Sequence, residues 1–239
     1  MKIGIITDIH NNLTALTAVI EELTEHGCSK IVCCGDIIGI GPYPQETVQY
    51  MKRIPDLIAV RGNHEKYLIC GLPYSSPGRE EMDDEEIAHH KWEHSLLSAD
   101  SVRFLEALPY RKDFICEGLT VSVMHYAMND NGDYVSIVKE PTSANLDDVF
   151  SHVASDIVIF GHDHKRCICR GDKLYVNVGS LGCPAGDKNI ARAGILEIND
   201  GDAKIRTVDV KYDVDSVLKD IDTINYPAAH IIKKYFFGI

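Results

Sequence analysis

Eight side chains able to hold a cation or move a proton stand where apolar runs stop. They are Asp8, His10, Asp36, Asn63, His64, His125, His162 and His164. Asp8 and His10 follow Lys2–Thr7, Asp36 follows Ile31–Cys34, and Asn63 and His64 follow Leu57–Val60. His125 follows Leu119–Met124, and His162 and His164 follow Ile157–Phe160. Carboxylate, imidazole and amide oxygen together suit first-row divalent metals such as Mn, Fe, Co, Ni or Zn. The set exceeds the needs of one ion. Two ions need a shared ligand, and a carboxylate can bridge with both oxygens. Taken singly, each residue is an ordinary turn or strand-end residue; the informative observation is that they all stop apolar runs.

For these residues to meet, the runs must be strands lying side by side with their carboxyl ends at one edge. The order of elements favours this. Leu13, Leu16, Val19, Ile20 and Leu23 recur at helical spacing, and Gly27 closes that helix. A short helix is expected from about Gln45 to Arg53, after the prolines Pro42 and Pro44. The resulting β-α-β-α-β start predicts a parallel sheet with helices outside. Open α/β sheets bind ligands beyond the carboxyl ends of their strands. The stretch from about Glu65 to Pro109 reads as helical and polar, its acidic run Glu80–Glu86 as a solvated face or helix start. Later runs predict strands at Leu119–Met124, Ile157–Phe160 and Leu174–Val178, and a hairpin of Ala193–Ile198 with Ala203–Val210 around Asn199-Asp200-Gly201. Helices are expected over Asp213–Ile224 and about Ala228–Phe237. The fold class predicted is α/β: two facing sheets with helices outside both, in one domain spanning residues 1–239.

Composition narrows the function classes. The chain has 239 residues, 45% hydrophobic and 25% charged, enough apolar material for one sizeable core. Its apolar runs are short and broken by Gly, Asp or His, so no membrane span or membrane partner is expected. The N-terminal run meets Asp8 before a secretory leader could form, which makes the cytoplasm the expected location. The eight cysteines contain no C-x-x-C pair, arguing against a disulfide framework or a Cys-rich zinc site. Cys33 and Cys34 read as buried small apolar residues, and Cys167 and Cys169 as one face of a strand. A net charge of −12 argues against nucleic acid as a partner. It does not argue against a small phosphorylated substrate, because bound dications are the largest local charges in such a site.

Read in order, the motifs are Asp8-Ile9-His10, Gly35-Asp36, Gly62-Asn63-His64-Glu65, His125, and Gly161-His162-Asp163-His164. Together they resemble the five motifs of the calcineurin-like metallophosphoesterase superfamily. Gly39-Ile40-Gly41-Pro42-Tyr43-Pro44 and Asn177-Val178-Gly179-Ser180-Leu181-Gly182 resemble its small bacterial and archaeal branch, and the likeness covers residues 1 to about 184. The resemblance implies a four-layer α-β-β-α sandwich of two mixed sheets and a pair of divalent metals. It implies that Asp8, His10, Asp36 and His164 hold one metal, and that Asp36 bridges to a second completed by Asn63, His125 and His162. It makes His64 the catalytic histidine. Two dications bring +4 against −2 from Asp8 and Asp36, so the site would be net positive within an acidic protein. The implied reaction is hydrolysis of a phosphate ester, phosphodiester or phosphoanhydride by a hydroxide bridging the two metals. Two other readings stay open at this point: a scaffold that keeps the fold without catalysis, and a nuclease of the same superfamily.

Two positions depart from the commonest family pattern. Asn11 stands where many relatives have Gly, and Asn tolerates a left-handed turn. Asp163 stands where many have Thr or Ser, and is expected to point away from the metals. Tyr43, Tyr126, Asn129 and Tyr134 are candidates to line a substrate pocket. His89, His90 and His94 are expected on a surface helix, since no Glu stands in the frame that a helical zinc motif needs. The apolar tail of Ile231, Ile232, Tyr235, Phe236, Phe237 and Ile239 is expected to pack on the domain, with a second copy of the chain as a possible partner.

Overall fold

Strand β1 (Lys2–Ile6) is flanked in sequence by α1 (Leu13–Glu25), and β2 (Lys30–Cys33) follows. The helix forms because Asn12 caps it, accepting from the Ala15 N–H at 3.1 Å, and because Leu16, Val19 and Leu23 give it a fully buried face. Helix α2 (Pro44–Met51) then leads to the two-residue strand β3 (Ile58–Ala59). These helical crossovers make the three strands parallel, with Ile3–Ile6 registered against Lys30–Cys33. A computed structural model describes residues 1–73, 82–183, 188–224 and 226–239. Glu80 and Glu81 of the acidic run lie outside them, whereas Asp83 caps α4 (Asp84–Ser95) by accepting from the Glu86 N–H.

Helices α3 (Asn63–Cys70), α4 and α5 (Ala99–Glu106) fill the middle of the chain. The second sheet follows: β4 (Arg111–Cys116), β5 (Leu119–Met124), β6 (Ile157–Ile159), β7 (Arg166–Arg170) and β8 (Leu174–Val178), with α6 (Ser143–Val149) between β5 and β6. The long hairpin β9 (Ile190–Asn199) and β10 (Asp202–Lys211) returns to the first sheet, and α7 (Val214–Thr223) and α8 (Ala229–Phe236) follow it. Strand order is β10-β9-β1-β2-β3 in one sheet and β4-β5-β6-β8-β7 in the other, and both are mixed.

Side-chain alternation divides the core into layers. Ile3, Ile5, Val32, Val121, Val123, Ile157, Ile159 and Val176 pack between the sheets. Ile6 and Cys33 point the other way, into a layer with Leu16 and Val19 of α1, Val48 of α2 and Val217 of α7. On the far side Val158 and Tyr175 pack against Leu146 and Phe150. The result is the expected four-layer α/β sandwich, although α6 is the only helix among the described residues to join that outermost cluster. Ile232 and Phe237 of the tail join the first helical layer, while Tyr235 and Ile239 stay exposed. All eight cysteines are free thiols. No helix among the described residues is long and apolar enough to cross a membrane.

Candidate functional site

At the carboxyl ends of β1, β2 and β6 the chain turns sharply. Asp8, His10, Asn11, Asp36, His162 and His164 all have positive φ, between +49° and +75°. Left-handed backbone costs a non-glycine residue about 1–2 kcal/mol. Six such residues in one place mark a site whose surroundings over-determine the backbone. The surroundings are visible. The Ile9 and His10 N–H groups both donate to the Asp36 carbonyl, at 2.8 and 3.0 Å, so the β1 and β2 loops are tied together. The Gly182 N–H donates to the Asp8 carbonyl and the Gly161 N–H to the His125 carbonyl. Asn177 Nδ2 donates to the Gly161 carbonyl at 2.9 Å, which links the β8 and β6 ends. Glycine is required at two contacts: a Cβ on Gly62 would lie 2.1 Å from Asp36 Oδ1, and one on Gly161 2.0 Å from Thr7 Oγ1.

All eight strand-end residues come together. His10 Nε2 and His164 Nε2 are 2.9 Å apart, and His164 Nε2 is 3.6 Å from Asp8 Oδ1. Asp36 Oδ2 is 3.9 Å from His10 Nε2 and 3.3 Å from His125 Nε2, so it lies between two groups of ligand atoms. The second group adds Asn63 Oδ1, 3.0 Å from His125 Nε2, and His162 Nδ1, 3.1 Å from it. Among the described residues potential ligands cluster as Asp8, His10 and His164, as Asp36, His125 and His162, as His10, Asp36 and His64, and on α4 as His89, His90 and Glu93.

The protons decide what such clusters can hold. His125 Nδ1 is 2.8 Å from the Cys34 carbonyl, which can only accept, so Nδ1 carries the hydrogen. Nε2, the nitrogen that titrates, then faces the Asn63 amide oxygen, the Asp36 carboxylate and Nδ1 of His162. His10 Nδ1 faces the Ile38 carbonyl at 3.3 Å in the same way, leaving Nε2 to face Asp36 and His164. Carboxylate, amide and imidazole ligand atoms converge with only a titratable proton between them, an arrangement in which a cation can replace that proton, and the donor set suits a first-row divalent ion. The titration behaviour has the same cause. Burial opposes a proton on His125, but the Asp36 carboxylate outweighs it and lifts the ring to about 9. Burial, helped by a neighbouring imidazole, lowers His10 and His162 to about 4. Burial would raise Asp36, yet His125, His64 and His10 together hold it well below the carboxylate range.

His64 shares a cluster with His10 and Asp36 without joining the shorter contacts among the other ligand atoms. Its N–H donates to Asp36 Oδ1 at 3.0 Å, and its ring centroid is 5.0 Å from that of His10. Its Nδ1 is sealed in: it has no hydrogen-bond partner, and a Cβ on Gly39 would lie 2.3 Å away. Burial holds the ring neutral, lowering it well below its ordinary value.

Two buried carboxylates near the site were not assigned roles from the sequence. Glu65 Oε2 accepts from the Asp36 and Gly62 N–H groups and Oε1 from those of Ile37 and Ile38, all between 2.7 and 3.1 Å. It is the clamp of the β2 loop. Burial and Asp36 nevertheless push its carboxyl up to about 7. The other is Glu93, and with it comes a correction. His89 and His90, expected on a surface helix, are 3% and 1% exposed, and Glu93 beside them is wholly buried. His94 is half-buried. The inward face of α4 consists of titratable residues, so apolar periodicity could not report it. The spacing of His90 and Glu93 at i, i+3 was the available signal.

The lesser candidates separate. Tyr134 stacks on His162 with ring centroids 5.4 Å apart, and its hydroxyl donates to the Arg61 carbonyl. Tyr126 also neighbours His162 but is buried in the outer core. The Asn129 side chain accepts from two N–H groups of its own turn, and the Tyr43 hydroxyl is engaged with Asp220. Asp163 is half-buried, and burial lifts its carboxyl above the ordinary value.

Comparison with known proteins gives consistent matches. The sequence profile of the calcineurin-like phosphoesterase superfamily domain matches residues 1–201. An uncharacterized protein of Methanocaldococcus jannaschii is 28% identical over 238 residues, covering 92% of this chain and 91% of that one. The crystal structure of a metallophosphoesterase from Sphaerobacter thermophilus is similar at TM-score 0.76 and 23% identity, covering 100% of this chain and 99% of that one. That of a hypothetical protein from Pyrococcus horikoshii OT3 is similar at TM-score 0.82 and 21% identity, covering 98% and 97%. At these identities the two structures speak for the fold.

Proposed function

Because the chain belongs to the calcineurin-like phosphoesterase superfamily, we propose that it hydrolyses a phosphate ester, phosphodiester or phosphoanhydride at a two-cation centre. Asp8, His10, Asp36 and His164 would hold one divalent cation. Asp36, Asn63, His125 and His162 would hold the other. When bound, the pair would supply Lewis acidity and positive charge to a phosphate group and to water. The observation that carries this reading is His125 Nε2, held by the Nδ1–Cys34 bond against a carboxylate and an amide oxygen, where a cation would take the place of the ring's titratable proton.

The remaining work falls to the chain's own residues. Asp36 holds the first turn of α3 through the His64 N–H, which fixes where the imidazole stands. With Nδ1 sealed against Gly39, Nε2 is the ring nitrogen left to meet a substrate. A neutral imidazole with its hydrogen on Nε2 donates a hydrogen bond to a phosphate or leaving-group oxygen, where negative charge develops. Tyr134 walls the His162 side and limits approach from there. Cytoplasmic action on a small phosphorylated molecule fits the charge of −12, which disfavours nucleic acid. The experiment compares turnover of p-nitrophenyl phosphate and its bis ester by manganese-loaded protein. Hydrolysis of at least one is expected; metal-loaded protein inert towards both esters and towards nucleotides and dinucleoside polyphosphates would overturn the reading in favour of a scaffold.

A further inference from the structure

Helix α4 lies outside every strand-end motif, yet its buried face reaches the site. Glu93 Oε1 accepts from Asn11 Nδ2 at 2.6 Å and from the Gly39 N–H. Asn11 follows His10, and Gly39 stands three residues after Asp36. One carboxylate oxygen therefore ties the loop after β1 to the loop after β2, the two loops that carry Asp8, His10 and Asp36. Gly39 is also the backbone wall against His64. On another side of His64 lies the His90 ring, 5.2 Å away between centroids, and Tyr67 is 5.5 Å from both. His64 thus occupies a slot made by Gly39 and by the rings of His10, Tyr67 and His90. His90 Nδ1 and Glu93 Oε2 are buried, 3.5 Å apart, and lack other partners, so each orients the other.

We propose that Glu93 and His90 are positioning residues of this centre: Glu93 sets the spacing of the two cation-holding loops, and His90 sets the attitude of the His64 ring. The inference rests on the phosphoesterase reading above and adds a helix to it. The two roles separate in their consequences. Losing Glu93 acts on cation affinity, for which partners of ligand residues typically matter 10–100-fold. Losing His90 acts on turnover with the cations in place.

The test uses the full chain with manganese in four variants: Glu93→Ala, Glu93→Gln, His90→Ala and His90→Phe. Manganese affinity and content, kcat and KM for a phosphodiester, and the melting transition are measured on each. Glutamine keeps an oxygen for the Asn11 and Gly39 donors, and phenylalanine keeps a ring against His64. Expected are at least tenfold weaker manganese binding in Glu93→Ala, largely restored in Glu93→Gln. For His90→Ala the expectation is a tenfold or greater loss in kcat with KM and metal content unchanged, largely restored in His90→Phe. If Glu93→Ala does not fold, Glu93→Gln and the His90 pair still decide. Unchanged kcat in His90→Ala, or no recovery in His90→Phe, overturns the His90 role; wild-type affinity in a folded Glu93→Ala overturns that of Glu93. A third manganese equivalent in wild type that disappears in His90→Ala also overturns the proposal, since the cluster would then be a ligand set itself. Wild-type protein that neither binds manganese nor hydrolyses any phosphate ester instead removes the phosphoesterase reading beneath it.

Discussion

At the scale of single residues, the division of labour between Asp36 and His64 is open to test. Asp36 stands 3.3–3.9 Å from ligand nitrogens of both clusters, whereas the His64 ring makes no such short contact and bonds Asp36 through its backbone N–H. A positioned hydrogen-bond donor to developing charge is typically worth about 10²–10³-fold. His64→Ala is therefore expected to lose turnover by that order while retaining its metal content, and Asp36→Asn to lose both. Turnover and metal analysis on the same preparations check this, and a His64→Ala enzyme with wild-type kcat would rule out the assigned role. That these eight residues would meet was legible in the sequence because Asp, Asn and His are ligand or proton-handling types and each stood past an apolar run. Glu65 and Glu93 were not legible as clamps. Their partners are backbone N–H groups of Ile37, Ile38, Gly39 and Gly62, which exist as a target only once the loops have folded.

At the scale of elements, the strand-end loops are held by hydrogen bonds rather than by apolar packing. Glu65 supplies four of them to the loop between β2 and α2 and to the turn before α3. Glu65→Gln would point an amide NH₂ at two N–H donors. Leaving two buried donors unmatched, at about 1–3 kcal/mol each, predicts a loss of roughly 2–6 kcal/mol. Denaturant melts of the variant measure it, and a loss under about 1 kcal/mol would contradict the clamp. Helix α4 offers a pH test. Burial lowers His89 to about 4, while in the unfolded chain it titrates near 6.5. The folded state therefore binds fewer protons between those values, and this contribution to stability is full above about 6.5 and lost as pH falls towards 4. At about 1.4 kcal/mol per unit, the site should cost about 2 kcal/mol between pH 6.5 and 5. Metal-stripped His89→Gln should lose correspondingly less than metal-stripped wild type over that range; identical slopes would contradict the assignment. Apolar periodicity found α1, β5, β8 and the β9–β10 hairpin. It missed β4, an edge strand whose residues are mostly charged or exposed, and α6, one short turn-capped helix. It misjudged the exposure of α4 because that helix buries His and Glu in place of Leu and Val.

At the scale of the whole molecule, the fold brings scattered sequence together at one edge. Position 8 meets position 164 because β1 and β6 lie in facing sheets and both stop at the same end, and the β8 loop links them through Gly182 and Asn177. An acidic chain of net charge −12 gathers carboxylates and imidazoles there, and the two-cation reading accounts for both facts together. Cation binding should therefore stabilise the fold, by about 2.7 kcal/mol when free metal is one hundred times its dissociation constant. The most direct test of the central claim is manganese titration of chelator-stripped protein, with bound equivalents and phosphoester turnover followed in the same samples. Two equivalents per chain in wild type, turnover rising with occupancy, and loss of both in Asp36→Asn are expected. Stripped protein that hydrolyses at the full rate, or wild type that binds no manganese at all, would contradict the account.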